Sequence, residues 1–127
     1  MAVQGIGGFF FRAKDPEALT AWYRDHLNVG GGCTAEGVDG SDEWCWMTKG
    51  GPVVFAPFPA DSDYFALDKG HMLNLRVSGL QGLIEKLKAA DIAVETRDEW
   101  NDPNVGSFAR IHDPEGNPIE LWEPPAA

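Results

Sequence analysis

Glu120 is the carboxylate whose position in the sequence best suits chemistry. It lies between Ile119 and Leu121 in an alternating segment, so its side chain should face away from both and share a face with Trp122. A carboxylate in an apolar setting can act as a general base or as the counter-charge of a cationic ligand. A hydrogen-bonded structural role is an equal alternative.

Two polar residues, Asn74 and Arg76, stand two apart in a second apolar segment. Asn74 should share a face with Met72, where its amide can orient a ligand carbonyl, and Arg76 extends the same row. A simple cross-strand pair explains both residues equally well.

Aromatic side chains supply the apolar part of a potential binding site. Such rings form flat apolar walls and can hold a cation over their faces. For each ring, packing in the hydrophobic core is the alternative. The residues expected to line the site are Trp44, Trp46, Phe55, Phe58 and Trp122.

Histidines and cysteines offer little further chemistry. We expect His112 to stabilise a turn and His26 to complement the dipole of a helix C-terminus. Cys33 and Cys45 are too few for a disulfide scaffold, and neither has a visible activating group, so we expect two reduced thiols.

Two helices should position these residues. Asp15 followed by Pro16 is typical of a helix start, and Ser78 or Gly79 opens a second helix. Each helix has a single apolar face, as expected for a helix that lies on one side of a sheet. The two faces are Leu19, Trp22, Tyr23 and Leu27, then Leu80, Leu83, Ile84 and Leu87.

Short strands should follow each helix. They are predicted at 43–48 and 53–56 in the first half, and at 92–96, 108–112 and 119–123 in the second. The turn residues at 113–117 predict a hairpin between the last two strands. The stretch 57–70 is loop-like and suited to covering a cavity mouth, and it carries Asp61, Asp63, Tyr64, Phe65 and Asp68.

The two halves of the chain form an internal repeat. Residues 9–15 and 73–79 are both short apolar runs with an arginine, and each is followed by a helical pattern. The repeat predicts an α+β fold of two strand–helix–three-strand modules within one domain, 1–127. Module one spans about 5–59, a loop spans about 60–70, and module two spans about 71–124. Two such modules leave a small, partly open sheet, so we expect a homodimer.

Composition limits the classes of partner. The chain has 127 residues, 10 Lys and Arg against 20 Asp and Glu, and a formal net charge of −10. Phosphate binding needs clustered basic residues, so we expect no nucleic-acid partner. Apolar runs fall short of the ~20 residues of a membrane span, and no signal-peptide pattern opens the sequence. We therefore expect a cytoplasmic protein with no membrane partner.

Three segments resemble the vicinal oxygen chelate superfamily of glyoxalases, bleomycin-resistance proteins and extradiol dioxygenases. The resemblance implies paired βαβββ modules that curl into a half-barrel around a cleft. It covers most of the chain, and the final hairpin is its most specific part. The segments are FFFRAKDPEALTAWYRDHL, MLNLRVSGL and HDPEGNPIELWEP.

The metal site implied by this resemblance looks degenerate. Family enzymes hold a divalent ion with His, Glu or Gln from four strands, and the matching positions here are Gly8, one of 54–56, Met72 and Glu120. Glu120 alone can bind a hard cation, whereas a catalytic metal needs about three protein ligands. Adding His71 gives two ligands at most. We therefore expect no metal site of the family type and no cofactor.

Two functions are compatible with these residues. The first is binding of a small, apolar or cationic molecule in an aromatic-lined cleft, as in bleomycin-resistance proteins. The alternative is a glyoxalase-type lyase or isomerase that acts on a small carbonyl compound, with Glu120 as base or metal ligand. A fold shared by binding proteins and enzymes does not decide between them.

Overall fold

The computed structural model describes residues 6–30, 46–51 and 53–126. The predicted positions Trp44, Cys33 and Cys45 lie outside these ranges. Two helices, a short 3₁₀ turn and four strands make up the described elements. In chain order they are α1 (Pro16–Leu27), β1 (Leu73–Arg76), α2 (Leu80–Ala89), the 3₁₀ turn (Asp98–Trp100), β2 (Asn101–Asp102), β3 (Gly106–His112) and β4 (Pro118–Glu123).

Both helices begin where the sequence predicts. Asp15 caps α1 by accepting a hydrogen bond from the Ala18 amide at 3.0 Å, and proline stands at the first helical position. Gly79 precedes α2 in the left-handed conformation. The Glu123 carboxylate accepts hydrogen bonds from the Gly79 and Leu80 amides at 2.8 and 3.2 Å, so it serves as a cap from outside the helix.

One mixed sheet contains the four strands in the order β1-β4-β3-β2. β1 runs parallel to β4, whereas β3 is antiparallel to both β4 and β2. The predicted hairpin joins β3 to β4, and its turn is closed by the Asp113 amide donating to the Asn117 carbonyl at 3.0 Å. The described chain thus has an α+β fold with one mixed four-stranded sheet and two helices.

The core lies on the side of the sheet that faces the helices. Alternate residues of β1, β3 and β4 point into it, and the apolar faces of both helices contribute the rest. Its fully buried members carry no polar group, as expected for a helix-on-sheet layer. The core residues are Leu19, Tyr23, Leu75, Leu80, Ile84, Leu87, Ala109, Ile111, Ile119 and Leu121.

Three predicted strands are absent or reduced. Residues 9–11 and 53–56 form no strand, and Phe10 and Phe55 are 92% and 87% exposed. A strand needs a hydrogen-bonding neighbour, and no ladder includes either segment. The segment 92–96 is reduced to a bridge between Glu95 and Arg110. Among the described residues, the first half of the chain contributes a helix to the fold but no strand to the sheet. The paired modules and their half-barrel therefore remain a prediction.

Glu115 connects the two halves of the chain. Its carboxylate accepts hydrogen bonds from the backbone amides of Lys14 and Asp15, at 2.7 and 3.0 Å. These amides lie at the start of α1, where a negative charge is favourable. The β3–β4 turn therefore holds the beginning of the first helix.

Neither helix of the described chain is long and apolar enough to span a bilayer.

Candidate functional site

Polar side chains form a row across the face of the sheet that points away from the core. Asn74 of β1 is in register with Glu120 of β4, and Glu120 is in register with Arg110 of β3. Their strand neighbours Ile111 and Ile119 are fully buried in the core, so alternation directs the row to the opposite face. Three adjacent strands thus bring an amide, a carboxylate and a guanidinium together.

Glu120 is held from two sides. Its side chain accepts one hydrogen bond from the Asn74 amide at 2.8 Å and another, on its second oxygen, from the Tyr64 hydroxyl at 2.5 Å. The residue is 8% exposed. Glu120 is therefore a buried carboxylate. Tyr64, which is 56 positions away in the sequence, contributes to this burial.

Arg110 is more deeply buried, at 5% exposure. Its Nη1 donates to the backbone carbonyl of Tyr64 at 3.2 Å. The guanidinium carbon lies 4.9 Å from the centre of the Tyr64 ring and 5.4 Å from that of Trp100, within range of cation–π attraction. Its Nε and Nη2 are buried and hydrogen bond to nothing in the described chain.

Tyr64 covers this row. Burial raises the pKa of its phenol above the usual value, and the hydrogen bond to Glu120 adds to that rise, while Arg110 lowers it in part. The ring packs against Phe58 at 5.8 Å and Trp100 at 6.4 Å. The segment 57–70 contains turns and neither helix nor strand, which fits its predicted role as a covering loop.

The other residues predicted to bind ligand are spread over a wider area. Arg76 donates to the carbonyls of Lys49 and Gly50, at 3.3 and 3.4 Å. Trp122 donates its indole N–H to the Val105 carbonyl at 2.8 Å and stacks on Phe108. Neither contacts Glu120.

Three of the predicted aromatic residues are accessible. Phe58 contacts the site through Tyr64. Trp46 is 43% exposed, and Phe55 projects from the surface away from any described ladder. Met72 directly precedes β1 and is partly buried. The structure therefore joins Asn74, Glu120 and Phe58 to one site, and leaves Trp46, Phe55, Met72, Arg76 and Trp122 outside its contacts.

Few metal-ligating side chains surround Glu120 among the described residues. Within the described ranges, no three His, Cys, Asp or Glu side chains lie close enough to hold an ion. Both Glu120 oxygens accept hydrogen bonds. The rings of Phe9 and Phe11 lie 5.0 and 6.2 Å from that of His71. His71 lies two residues before β1 and is itself outside the strand.

Three residues of the site, Arg110, Tyr64 and Trp100, are absent from the residues that the sequence predicts to bind ligand. A signal for Arg110 exists, because the turn at 113–117 sets the register of the hairpin and places Arg110 opposite Glu120. Trp100 gave no such signal, since it reaches the site from a 3₁₀ turn beyond any regular pattern.

Open depressions of the surface lie away from this row. One is formed by the outer side of α1, and another lies where β2 meets the residues after β4. Neither includes Glu120 or Arg110. The row is filled by its own covering side chains, so a ligand must displace part of that cover to reach it.

The chain is similar in fold to a protein of known structure. TnmS3, an antibiotic binding protein from Streptomyces sp. CB03234, shares 23% sequence identity with it, covers 98% of each chain and superposes with a TM-score of 0.56. No protein-family model and no curated protein matches the sequence. The similarity supports a shared α+β fold.

Proposed function

We propose that this protein binds a small aromatic molecule on the open face of the sheet, without converting it. The observation that carries the proposal is the row of Asn74, Glu120 and Arg110 beneath the ring of Tyr64. Small-molecule sites combine apolar walls with a few converging polar groups that fix orientation. This row has both features.

Tyr64 indicates what kind of ligand fits. It places an aromatic ring against Arg110 while its hydroxyl donates to Glu120. A ligand with a ring and a hydroxyl group reproduces both contacts when it displaces the tyrosine side chain. The exchange then adds no new unpaired polar group at Glu120.

The fold similarity supports binding rather than catalysis. TnmS3 is described as an antibiotic binding protein. A fold alone does not transfer a function, so the argument depends on the residues of the site. The homodimer, the degenerate metal site and a wider lining stay separate proposals, on which binding at the row does not depend. That wider lining comprises Trp44, Trp46, Phe55, Met72, Arg76 and Trp122.

The glyoxalase-type alternative has less support. A general base needs an oxygen that faces the substrate proton. Both oxygens of Glu120 are engaged, by Asn74 and by Tyr64. No observation favours turnover, so we retain the binding function.

A hydroxyarene tests the proposal directly. We expect 2-naphthol to bind and naphthalene to bind more weakly, because the latter lacks the hydroxyl that donates to Glu120. Glu120→Gln should weaken 2-naphthol about tenfold, the effect of losing a charge-assisted hydrogen bond. Tryptophan fluorescence titration measures both affinities, and mass spectrometry shows whether the compound is recovered unchanged.

Glu95→Gln is the matched control, because Glu95 is a surface carboxylate that pairs with Arg97. It should leave the affinity for 2-naphthol unchanged. Absence of binding, or equal binding to the Glu120→Gln variant, contradicts the proposed site. Chemical conversion of the compound contradicts the proposed lack of turnover.

A further inference from the structure

Arg110 presents an unused hydrogen-bonding edge inside the protein. Its Nη1 is bonded to Tyr64, while Nε and Nη2 are buried and unbonded among the residues that the structure describes. Buried polar groups are almost always hydrogen bonded, so two unbonded donors on one charged group require an explanation.

The two unbonded nitrogens belong to the same edge of the guanidinium. The N–H of Nε and one N–H of Nη2 point in the same direction, and together they form the fork that binds two oxygens of a carboxylate. The Nε/Nη2 edge of Arg110 therefore has both of its donors unbonded and can bind a bidentate partner. A guanidinium with scattered unbonded donors would not have this property.

Retaining Arg110 has a cost for the fold. A buried cation without a paired anion is unfavourable, and an apolar side chain of similar volume would avoid that cost. The rings of Tyr64 and Trp100 offset part of it by cation–π attraction. Nothing in the packing of β3 requires a cation, because its core-facing neighbours Ala109 and Ile111 lie on the other side of the strand.

We infer that Arg110 is the anion-recognition residue of the site, and that the ligand is a planar aromatic compound carrying a carboxylate. This inference rests on the proposed function and specifies its ligand class. The carboxylate takes the Nε/Nη2 edge, and the aromatic body takes the place of the Tyr64 ring beside Trp100. Tyr64 is 36% exposed, so its side chain is the accessible part of the cover.

The anionic ligand proposed here is opposite in charge to the cationic ligand that the composition favours. A net charge of −10 favours cationic ligands at long range. Charges separated by more than the Debye length of about 8 Å are largely screened at physiological salt, whereas a direct bidentate contact is not. The local guanidinium therefore outweighs the distant carboxylates, and the neighbouring Glu120 keeps its hydrogen bond from Asn74.

Three naphthalene derivatives of similar size test this assignment: 2-naphthoate, 2-naphthamide and the cationic 2-naphthylmethylammonium. We expect 2-naphthoate to bind about 10- to 100-fold more tightly than the amide, and the ammonium compound to bind most weakly. Arg110→Met should abolish the preference for the carboxylate while retaining binding of the amide. The same variant should unfold at equal or higher urea concentration, because it removes a buried unpaired charge.

Two further variants complete the test: a second substitution of Arg110 and a control. Arg110→Lys retains the charge without the fork, and it should lose most of the preference even if Arg110→Met fails to fold. Lys88→Gln is the control, because Lys88 is an exposed cation of α2, on the opposite side of the sheet from Arg110. It should leave the preference unchanged.

The outcomes separate the two proposals. If neither 2-naphthol nor any of the three derivatives binds, the proposed function itself is wrong. If 2-naphthol binds and 2-naphthoate does not, the role of Arg110 is wrong and the proposed function stands. If the amide and the carboxylate bind equally, or if Arg110→Lys keeps the full preference, the role of Arg110 is wrong and the proposed function stands. Tighter binding of the ammonium compound overturns the inference as well.

Discussion

Arg110 lies directly across the antiparallel ladder from Glu120, yet none of its nitrogens hydrogen bonds to that carboxylate. Opposite charges at facing positions of a sheet normally attract and pair. Here Tyr64 engages both, donating its hydroxyl to Glu120 and accepting from Arg110 through its backbone carbonyl. One loop residue thus occupies the two groups that the proposed ligand would use.

The two tyrosines of the chain should ionise only at unusually high pH. Tyr23 donates to Asp113 at 2.7 Å and Tyr64 donates to Glu120. Burial, reinforced by the neighbouring carboxylate, raises the pKa of each phenol. Tyrosinate absorbance of the native protein should therefore rise well above the usual pKa of about 10. In urea both groups should titrate near that value.

The same shifts set the direction of the pH dependence. Because each folded-state pKa is raised, the folded chain holds these protons more tightly than the unfolded chain. The resulting stabilisation is complete below about pH 10 and decreases as the pH rises through the folded-state pKa. Tyr23→Phe should flatten that decrease and lower the free energy of unfolding by about 1–2 kcal/mol at neutral pH. An unchanged alkaline profile in this variant contradicts the assignment.

Glu123 should stabilise α2 from outside the helix. Its carboxylate accepts from the Gly79 and Leu80 amides, so Glu123→Ala removes partners from a helix N-terminus. We expect a loss of about 1 kcal/mol in urea unfolding. Glu95→Ala removes a surface ion pair and should change stability by less than about 0.5 kcal/mol. Equal losses in the two variants would refute the capping role.

Gly106 should tolerate no side chain. Its φ is +121°, and an added Cβ would collide with the backbone oxygen of Glu123 and lie 2.8 Å from Nε1 of Trp122. Gly106→Ala should cost about 3 kcal/mol, as measured by urea unfolding. In contrast, Gly82 lies within α2 with open space around it, and Gly82→Ala should stabilise by about 0.5–1 kcal/mol. A cost at Gly82 similar to that at Gly106 would contradict this reasoning.

Glu115 should slow the hydrogen exchange of the backbone amides at the start of α1. Glu115→Ala removes the acceptor of the Lys14 and Asp15 amides, so these amides should exchange with deuterium faster. Amides of β3 and β4 should keep their protection, because the ladder between them is independent of this side chain. Hydrogen exchange followed by NMR measures both sets. Faster exchange throughout the sheet would indicate global destabilisation instead of a local contact.

Local features of the sequence determined the helices and the hairpin. Asp15 and Pro16 start α1 through interactions within one turn, and the turn at 113–117 aligns β3 with β4. Alternation along β4 also predicted that Glu120 faces away from Ile119 and Leu121. Each of these features depends on residues that are a few positions apart in the sequence. The residue types at those positions are therefore enough to predict it.

The tertiary structure decided which groups meet Glu120. Tyr64 and Trp100 reach the site from irregular segments, and no periodicity specifies where such segments come to rest. The apolar runs at 9–11 and 53–56 have strand-forming residues and form no strand, since β structure requires a hydrogen-bonding partner supplied by another part of the fold. Alternation along a strand determines which face of the sheet a side chain occupies, and it can be read from the sequence. Contacts between distant segments depend on the free energy of the whole folded chain.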